Sequence, residues 1–300
     1  MAPTDPAAGP FGRVLTAMVT AFHDDGSVDL DGTARVAEHL VEHGNDGVVV
    51  SGTTGESPTT TTAEDGDILR AVIEAVGDRA TVVAGVGTNS TAHSVELAQQ
   101  AEKLGADGVL LVTPYYNKPS PEGVLAHFTA VATSSALPVM LYDVPGRTVT
   151  RIAPSTYEAA RELDTVVAVK DATGDLPGAA RLVELGYAVY SGDDVATLGY
   201  LAYGGVGVVS VVGHAAGVQL RAMTDAFLAG DHAEALRIHH RLTPAFDAVM
   251  GVPNYGATTA KAVMQLLGVL DNRNVRGPLV PLDDDELAAL RAGLAASDLI

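Results

Sequence analysis

Two segments far apart in the chain, HGNDGV at 43–48 and LGADGV at 104–109, give the backbone the same local instruction. In each, a glycine (Gly44, Gly105) follows a helical pattern, and two residues later an Asp-Gly pair leads into a β-branched run. Glycine is the favoured residue where a helix stops in a left-handed conformation, so both segments predict a helix end feeding a strand. Working outward, apolar runs recur at 14–20, 47–51, 81–85, 108–113, 139–143, 166–170, 188–191 and 207–210. They are mostly continuous rather than alternating, the pattern of parallel strands covered on both faces. Helical patterns fill the gaps, for example at 29–44, 62–77, 91–105 and 121–136. Eight strands alternating with helices predict an α/β chain folded as a (β/α)8 TIM barrel.

The competing architecture is an open doubly wound sheet. It requires a glycine-rich phosphate turn after the first strand, and none follows 14–20. Gly85-Val86-Gly87 lacks the third glycine and follows the third strand instead. Beyond the eighth strand, patterns at 214–229, 231–250, 255–268 and 283–296 predict helices only. The expected organisation is a flexible N-terminal arm (1–10), a catalytic barrel (11–230) and a C-terminal helical region (231–300).

Composition narrows the function. Of 300 residues, 18 are Lys or Arg and 37 Asp or Glu, a formal charge of −19, which argues against nucleic-acid and anionic-membrane partners. There is no cysteine, so thiolate nucleophiles, disulfides and cysteine-ligated metals are excluded. The longest apolar run, around 206–212, is far short of the ~20 residues of a membrane span. The start of the chain lacks the basic and apolar blocks of a signal peptide, and a cytoplasmic enzyme is expected. Lysine is scarce: Lys103, Lys118, Lys170 and Lys261 are all there are.

Barrel active sites lie at the C-terminal ends of the strands. Those ends carry Ser51 leading into GTTGES (52–57), Thr113 into TPYYNKP, Tyr142 in LYDVPGRT, Lys170 in VVAVKDAT and Ser191 in SGDD. Lys170 ends an apolar run, so burial should depress its pKa and leave a nucleophilic amine able to form a Schiff base with a ketone. The bland reading is a rim lysine paired with Asp171. GTTGES could aim backbone N–H groups at a small carboxylate, with Thr53 and Thr54 adding hydroxyls, or could be an ordinary βα turn. Tyr142 could move protons, and Arg147 could grip a carboxylate with two parallel hydrogen bonds; each could equally be structural. Tyr115 and Tyr116 could serve packing or subunit contact. His232, His239 and His240 read as a solvated helix face, and His23, His39 and His43 show no ligand pairing. The acidic run Asp283–Glu286 suits a helix start rather than a metal.

GTTGES, TPYYNKP, LYDVPGRT, VVAVKDA and YSGDD, in this order, resemble the dihydrodipicolinate synthase family of pyruvate-dependent class I aldolases. The likeness runs from about Val14 into the tail. It implies a lyase that condenses pyruvate with L-aspartate 4-semialdehyde to 4-hydroxy-tetrahydrodipicolinate, in diaminopimelate and lysine biosynthesis. Sister aldolases acting on sugar acids or hydroxy-keto acids share the barrel, the lysine and the tyrosine, and a non-catalytic pyruvate binder is the remaining alternative. By resemblance, Lys170 forms the Schiff base, and Tyr142, Thr53 and Tyr116 form a proton relay, with Tyr116 reaching a neighbouring subunit's site. Thr54 and the main chain at Val209 hold pyruvate, and Arg147 receives the semialdehyde carboxylate. No metal or organic cofactor is implied, and a homotetramer built as a dimer of dimers is.

Two departures from the family pattern stand out. Asp143 replaces an asparagine of many relatives; it should add negative charge near the site, offset by a neighbouring arginine. His93, Thr62 and Asp65 replace a glutamate and imidazole-bearing positions of lysine-inhibited relatives, while Asn89, Ser57 and Tyr115 remain. Loss of that carboxylate removes a charge-assisted bond worth ~1.5–3 kcal/mol, so weak or absent lysine inhibition is expected.

Overall fold

The computed structural model of the protein describes residues 9–252 and 256–300; most of the arm expected at 1–10 lies outside the described residues. Eight parallel strands close into a barrel: β1 (Val14–Ala17), β2 (Gly47–Val50), β3 (Thr81–Gly85), β4 (Gly108–Val112), β5 (Val139–Asp143), β6 (Val166–Asp171), β7 (Ala188–Ser191) and β8 (Gly207–Ser210). Each pairs with its sequence neighbour, and β1 closes on β8 with Leu15 opposite Val209. The TIM barrel expected from the sequence is the fold observed.

The repeated Asp-Gly pairs explain how the strands find their register. Asp46, just before β2, accepts hydrogen bonds from the backbone N–H groups of Arg13 and Val14 (2.7 and 3.0 Å), where β1 begins. Asp107, just before β4, accepts from Val82 N in β3 (2.8 Å). A carboxylate therefore satisfies strand-end donors on the preceding strand, groups that would otherwise be left unpaired at the barrel's N-terminal rim. The adjoining glycine is needed for space, because a Cβ at Gly47 would lie 2.6 Å from the Thr81 carbonyl oxygen.

Helices α1 (Leu30–Glu42), α2 (Thr62–Val76), α3 (Thr91–Leu104) and α4 (Pro121–Ala132) follow the first four strands. Each starts on a capping side chain: Asp29, Thr61 with Glu64 in a reciprocal box, Ser90 and Ser120. Shorter helices follow: α5 (Pro145–Thr148), α6 (Pro154–Ala160), α7 (Leu176–Glu184) and α8 (Thr197–Ala202). After β8 come α9 (Gly213–Leu228), α10 (His232–Met250), α11 (Ala257–Leu266) and α12 (Asp284–Ala296). Asp283 caps α12, accepting from Glu286 N at 2.8 Å, so the acidic run does open a helix. Among the described residues, no helix is long and apolar enough to cross a membrane.

Strand alternation sorts the core into two layers. Leu15, Val49, Val83, Leu110, Met140, Ala168 and Val209 fill the barrel interior, while Val14, Val48, Val82, Val109, Leu141 and Val169 face the surrounding helices. The interior is sealed at the lower end by Tyr190 and Phe11, whose N–H donates to the tyrosine oxygen (3.2 Å). The upper end is left for polar groups.

Candidate active site

Parity along β5 and β6 decides which side chains reach that upper end. Met140 and Tyr142 point inward, as does Ala168, so Lys170 points inward too, whereas Asp143 and Asp171 point out. Tyr142 and Lys170 are direct register partners, and Lys170 Nζ lies 4.4 Å from the centroid of the Tyr142 ring. Lys170 is only 5% exposed. Burial lowers its pKa from 10.5 to about 8; the Asp194 carboxylate works against this and the Arg147 guanidinium reinforces it. An amine with that pKa is partly neutral near physiological pH, as a nucleophile requires.

Above this pair is a cavity of about 200 Å³, lined by Ser51, Gly52, Thr53 and Ser57 from one side and by Tyr115, Tyr142 and Arg147 from the other. Thr53 is exposed in it, and Thr54, one residue on, is buried. The loop folds back on itself through Glu56 N to Thr53 O (3.1 Å) and Ser57 N to Gly52 O (3.3 Å). Gly85 permits this loop, since a Cβ there would collide with the Ser51 carbonyl. Arg147 sits on α5, immediately beyond β5, where the Pro145 start fixes the turn. Val209 is buried on the interior face of β8.

The structure thus brings Tyr142, Thr53 and Arg147 to the wall of one small cavity, with Lys170 buried against Tyr142 and Thr54 and Val209 buried outside its lining. Tyr116 stands apart: it is 87% exposed, with φ +74°, and it is Tyr115 that lines the cavity of this chain. Asp143 requires a correction. It does not face the cavity; its carboxylate accepts from Tyr157 Oη (3.1 Å) and Ile152 N (3.2 Å) behind the barrel wall. Burial raises its pKa to about 6, and the arginine that opposes this is Arg151, outside the cavity. The extra charge relative to asparagine is thus placed on the outer face.

Asp194, from the SGDD segment, belongs to the site although the sequence assigned it no role. It is 2% exposed, and burial raises its pKa. Its carboxylate takes a short hydrogen bond from Ser210 Oγ and accepts from Val211 N (3.0 Å) and Val212 N (3.2 Å). It thereby fixes the turn after β8 while placing negative charge near Lys170. Two adjacent aspartates after a strand gave no signal as to which one would turn inward. Among the described residues, no group of three or more His, Asp or Glu side chains converges as a metal site would require.

This geometry has close relatives. Residues 10–297 match the model of the dihydrodipicolinate synthetase family. The 4-hydroxy-tetrahydrodipicolinate synthase 2 of Streptomyces coelicolor is 54% identical over 297 residues, covering 99% of this chain and 98% of that protein. The 4-hydroxy-tetrahydrodipicolinate synthase of Acidothermus cellulolyticus is 55% identical over 289 residues, covering 96% and 93%. Among solved structures, the lysine-bound synthase of Cyanidioschyzon merolae superimposes with a TM-score of 0.93 at 40% identity, covering 97% of this chain and all of that one. The chain belongs to the dihydrodipicolinate synthetase family.

Proposed function

We infer that the chain is a lyase that condenses pyruvate with L-aspartate 4-semialdehyde to give 4-hydroxy-tetrahydrodipicolinate, a step of diaminopimelate and lysine biosynthesis. Full-length relatives of about half-identical sequence carry that activity in their names. The observation that carries the chemistry is Lys170, buried against Tyr142 beneath a small cavity and lowered in pKa to about 8.

In the proposed mechanism the neutral Lys170 amine attacks C2 of pyruvate. The carbinolamine loses water as Tyr142 supplies a proton to the departing hydroxyl, leaving an imine. Removal of a C3 proton gives the enamine, with the imine nitrogen as electron sink. The enamine carbon then attacks the aldehyde of the second substrate, and the new alkoxide takes a proton. The semialdehyde's own amino group displaces Lys170 from C2, closing the ring and restoring the free amine. Thr53 and Tyr142 form the proton relay, Thr54 and the Val209 main chain hold pyruvate, and Arg147 receives the semialdehyde's carboxylate in a charge-assisted bidentate contact.

The relay is completed by Tyr116 of a neighbouring copy, so the active unit is at least a dimer and the full assembly a tetramer. The support is its position: Tyr116 is 87% exposed and does not line the cavity of its own chain. The cytoplasm is the proposed location, as for other steps of amino-acid biosynthesis.

The experiment is an assay of the purified chain with pyruvate and each candidate acceptor. Turnover of L-aspartate 4-semialdehyde well above that of sugar-acid or hydroxy-keto-acid substrates is the expected result; the reverse preference would assign the chain to a sister aldolase.

A further inference from the structure

The one acidic residue of the GTTGES loop, Glu56, is buried. Glu56 adopts a left-handed backbone conformation (φ +61°, ψ 33°), rare for a side chain of this type and a kind of local strain that collects at functional loops. Its side chain is 1% exposed, as is that of Lys261 on α11, and Lys261 Nζ stands 2.5 Å from Glu56 Oε1. The same ammonium donates to the Asn274 carbonyl (2.6 Å) and lies 3.9 Å from the centroid of the Phe22 ring. Glu56 Oε2 accepts from Arg276 N (2.8 Å). The Arg276 guanidinium in turn holds the Gly26 and Thr59 carbonyls (2.8 and 2.9 Å) and the Glu64 carboxylate (2.6 Å).

Three parts of the chain therefore meet in one buried network around Glu56, Lys261 and Arg276: the segment after β1, the 52–57 loop and the C-terminal helical region. The loop is also pinned from below, with Thr20 Oγ1 donating to the Gly55 carbonyl (2.9 Å). A buried ion pair is a poor way to stabilise a fold, since apolar packing of equal volume usually does as well. What it supplies is a single geometry, because a displaced loop would leave two buried charges unpaired.

We propose that Glu56 and Lys261 are positioning residues, through which the C-terminal helical region locks the 52–57 loop and so places Thr53 in the cavity wall. The proposal rests on the reading of that loop as catalytic. Neither residue lines the cavity, and Glu56 belongs to the loop that does, which is the route by which the pair reaches the chemistry.

The test compares Thr53→Val, Lys261→Met and the charge-neutral pair Glu56→Gln/Lys261→Met, in the full chain and below their melting temperatures. Misplacing catalytic groups by about 1 Å costs roughly 10²-fold in rate. The expected result is a kcat loss of that order in the two clamp variants, with KM for pyruvate changed by less than about threefold and the pyruvate–borohydride adduct at Lys170 retained. A clamp variant that is folded and keeps wild-type kcat, beside a Thr53→Val enzyme that has lost it, overturns the positioning role and leaves the catalytic reading intact. Wild-type kcat in Thr53→Val overturns both. Should neither clamp variant fold, hydrogen exchange on the unaltered enzyme decides. Amides of 52–57 protected without substrate support the clamp, and exchange at the rate of an unstructured peptide refutes it.

Discussion

Lys170 and Tyr142 face each other across the β5–β6 pairing, with the ammonium nitrogen 4.4 Å from the ring centroid. The aromatic ring shields the amine from water and offers a cation–π contact to its charged form. Desolvation is the stronger effect, and the pKa falls to about 8. This has a consequence for stability. A lysine whose folded pKa lies below its usual 10.5 destabilises the fold in full below about pH 8, and the penalty fades as pH rises to 10.5. Lys170→Met is expected to abolish activity and yet stabilise the protein at pH 7 by an amount on the order of 3 kcal/mol. Urea unfolding at pH 7 and pH 10.5 checks it: the gain should shrink at the higher pH. A variant no more stable than wild type at pH 7 would contradict the desolvated-amine account.

Tyr142→Phe keeps the ring over Lys170 and removes only the hydroxyl. Its kcat is expected to fall by about 10²-fold or more, in line with loss of a general acid–base group. Its melting temperature should stay close to that of wild type. Full activity would remove the tyrosine from the relay.

Arg147→Ala addresses the second substrate. A charge-assisted bidentate contact is worth ~1.5–3 kcal/mol, so kcat/KM for the semialdehyde should drop by about 10- to 100-fold while pyruvate trapping at Lys170 persists. Arg147 also helps to hold the Lys170 pKa down. The rising limb of the pH–rate profile should therefore move to higher pH in this variant. Unchanged semialdehyde kinetics would point to a different acceptor.

Lysine should inhibit weakly or not at all. His93 bonds to Thr62 (Nε2···Oγ1, 3.1 Å), and the Asp65 carboxylate is taken up by Thr60 Oγ1 (2.8 Å). No carboxylate stands at position 93 to meet an incoming α-amino group. A lysine titration of the steady-state rate checks this, and strong inhibition at sub-millimolar concentration would refute it.

The sequence was most informative where one residue type repeated a job. Short, mostly continuous apolar runs marked all eight strands, because a strand covered on both faces buries nearly all its side chains. Lys170 was legible as a candidate because it ends such a run, although position alone left a rim lysine paired with Asp171 equally open. Pro154–Ala160 and Thr197–Ala202 make about two turns or less, too short for an apolar period to stand out. The orientation of Asp143 depended on counting parity from Tyr142, which the expectation of a charge near the site did not do. The Glu56–Lys261 pair joins residues separated by most of the chain, and no local pattern links a loop glutamate to a lysine on a tail helix.

Two of the four lysines, Lys170 and Lys261, are buried and have pKa values lowered to about 8. They differ in surroundings. Lys261 is ion-paired with Glu56 away from the cavity, whereas Lys170 lies beneath it against Tyr142. Pyruvate followed by borohydride reduction, intact mass and peptide mapping separates them directly. One pyruvyl adduct per chain, on Lys170, is the expected outcome. An adduct on Lys261 or on either of the other two lysines, or no adduct at all, would contradict the Schiff-base assignment.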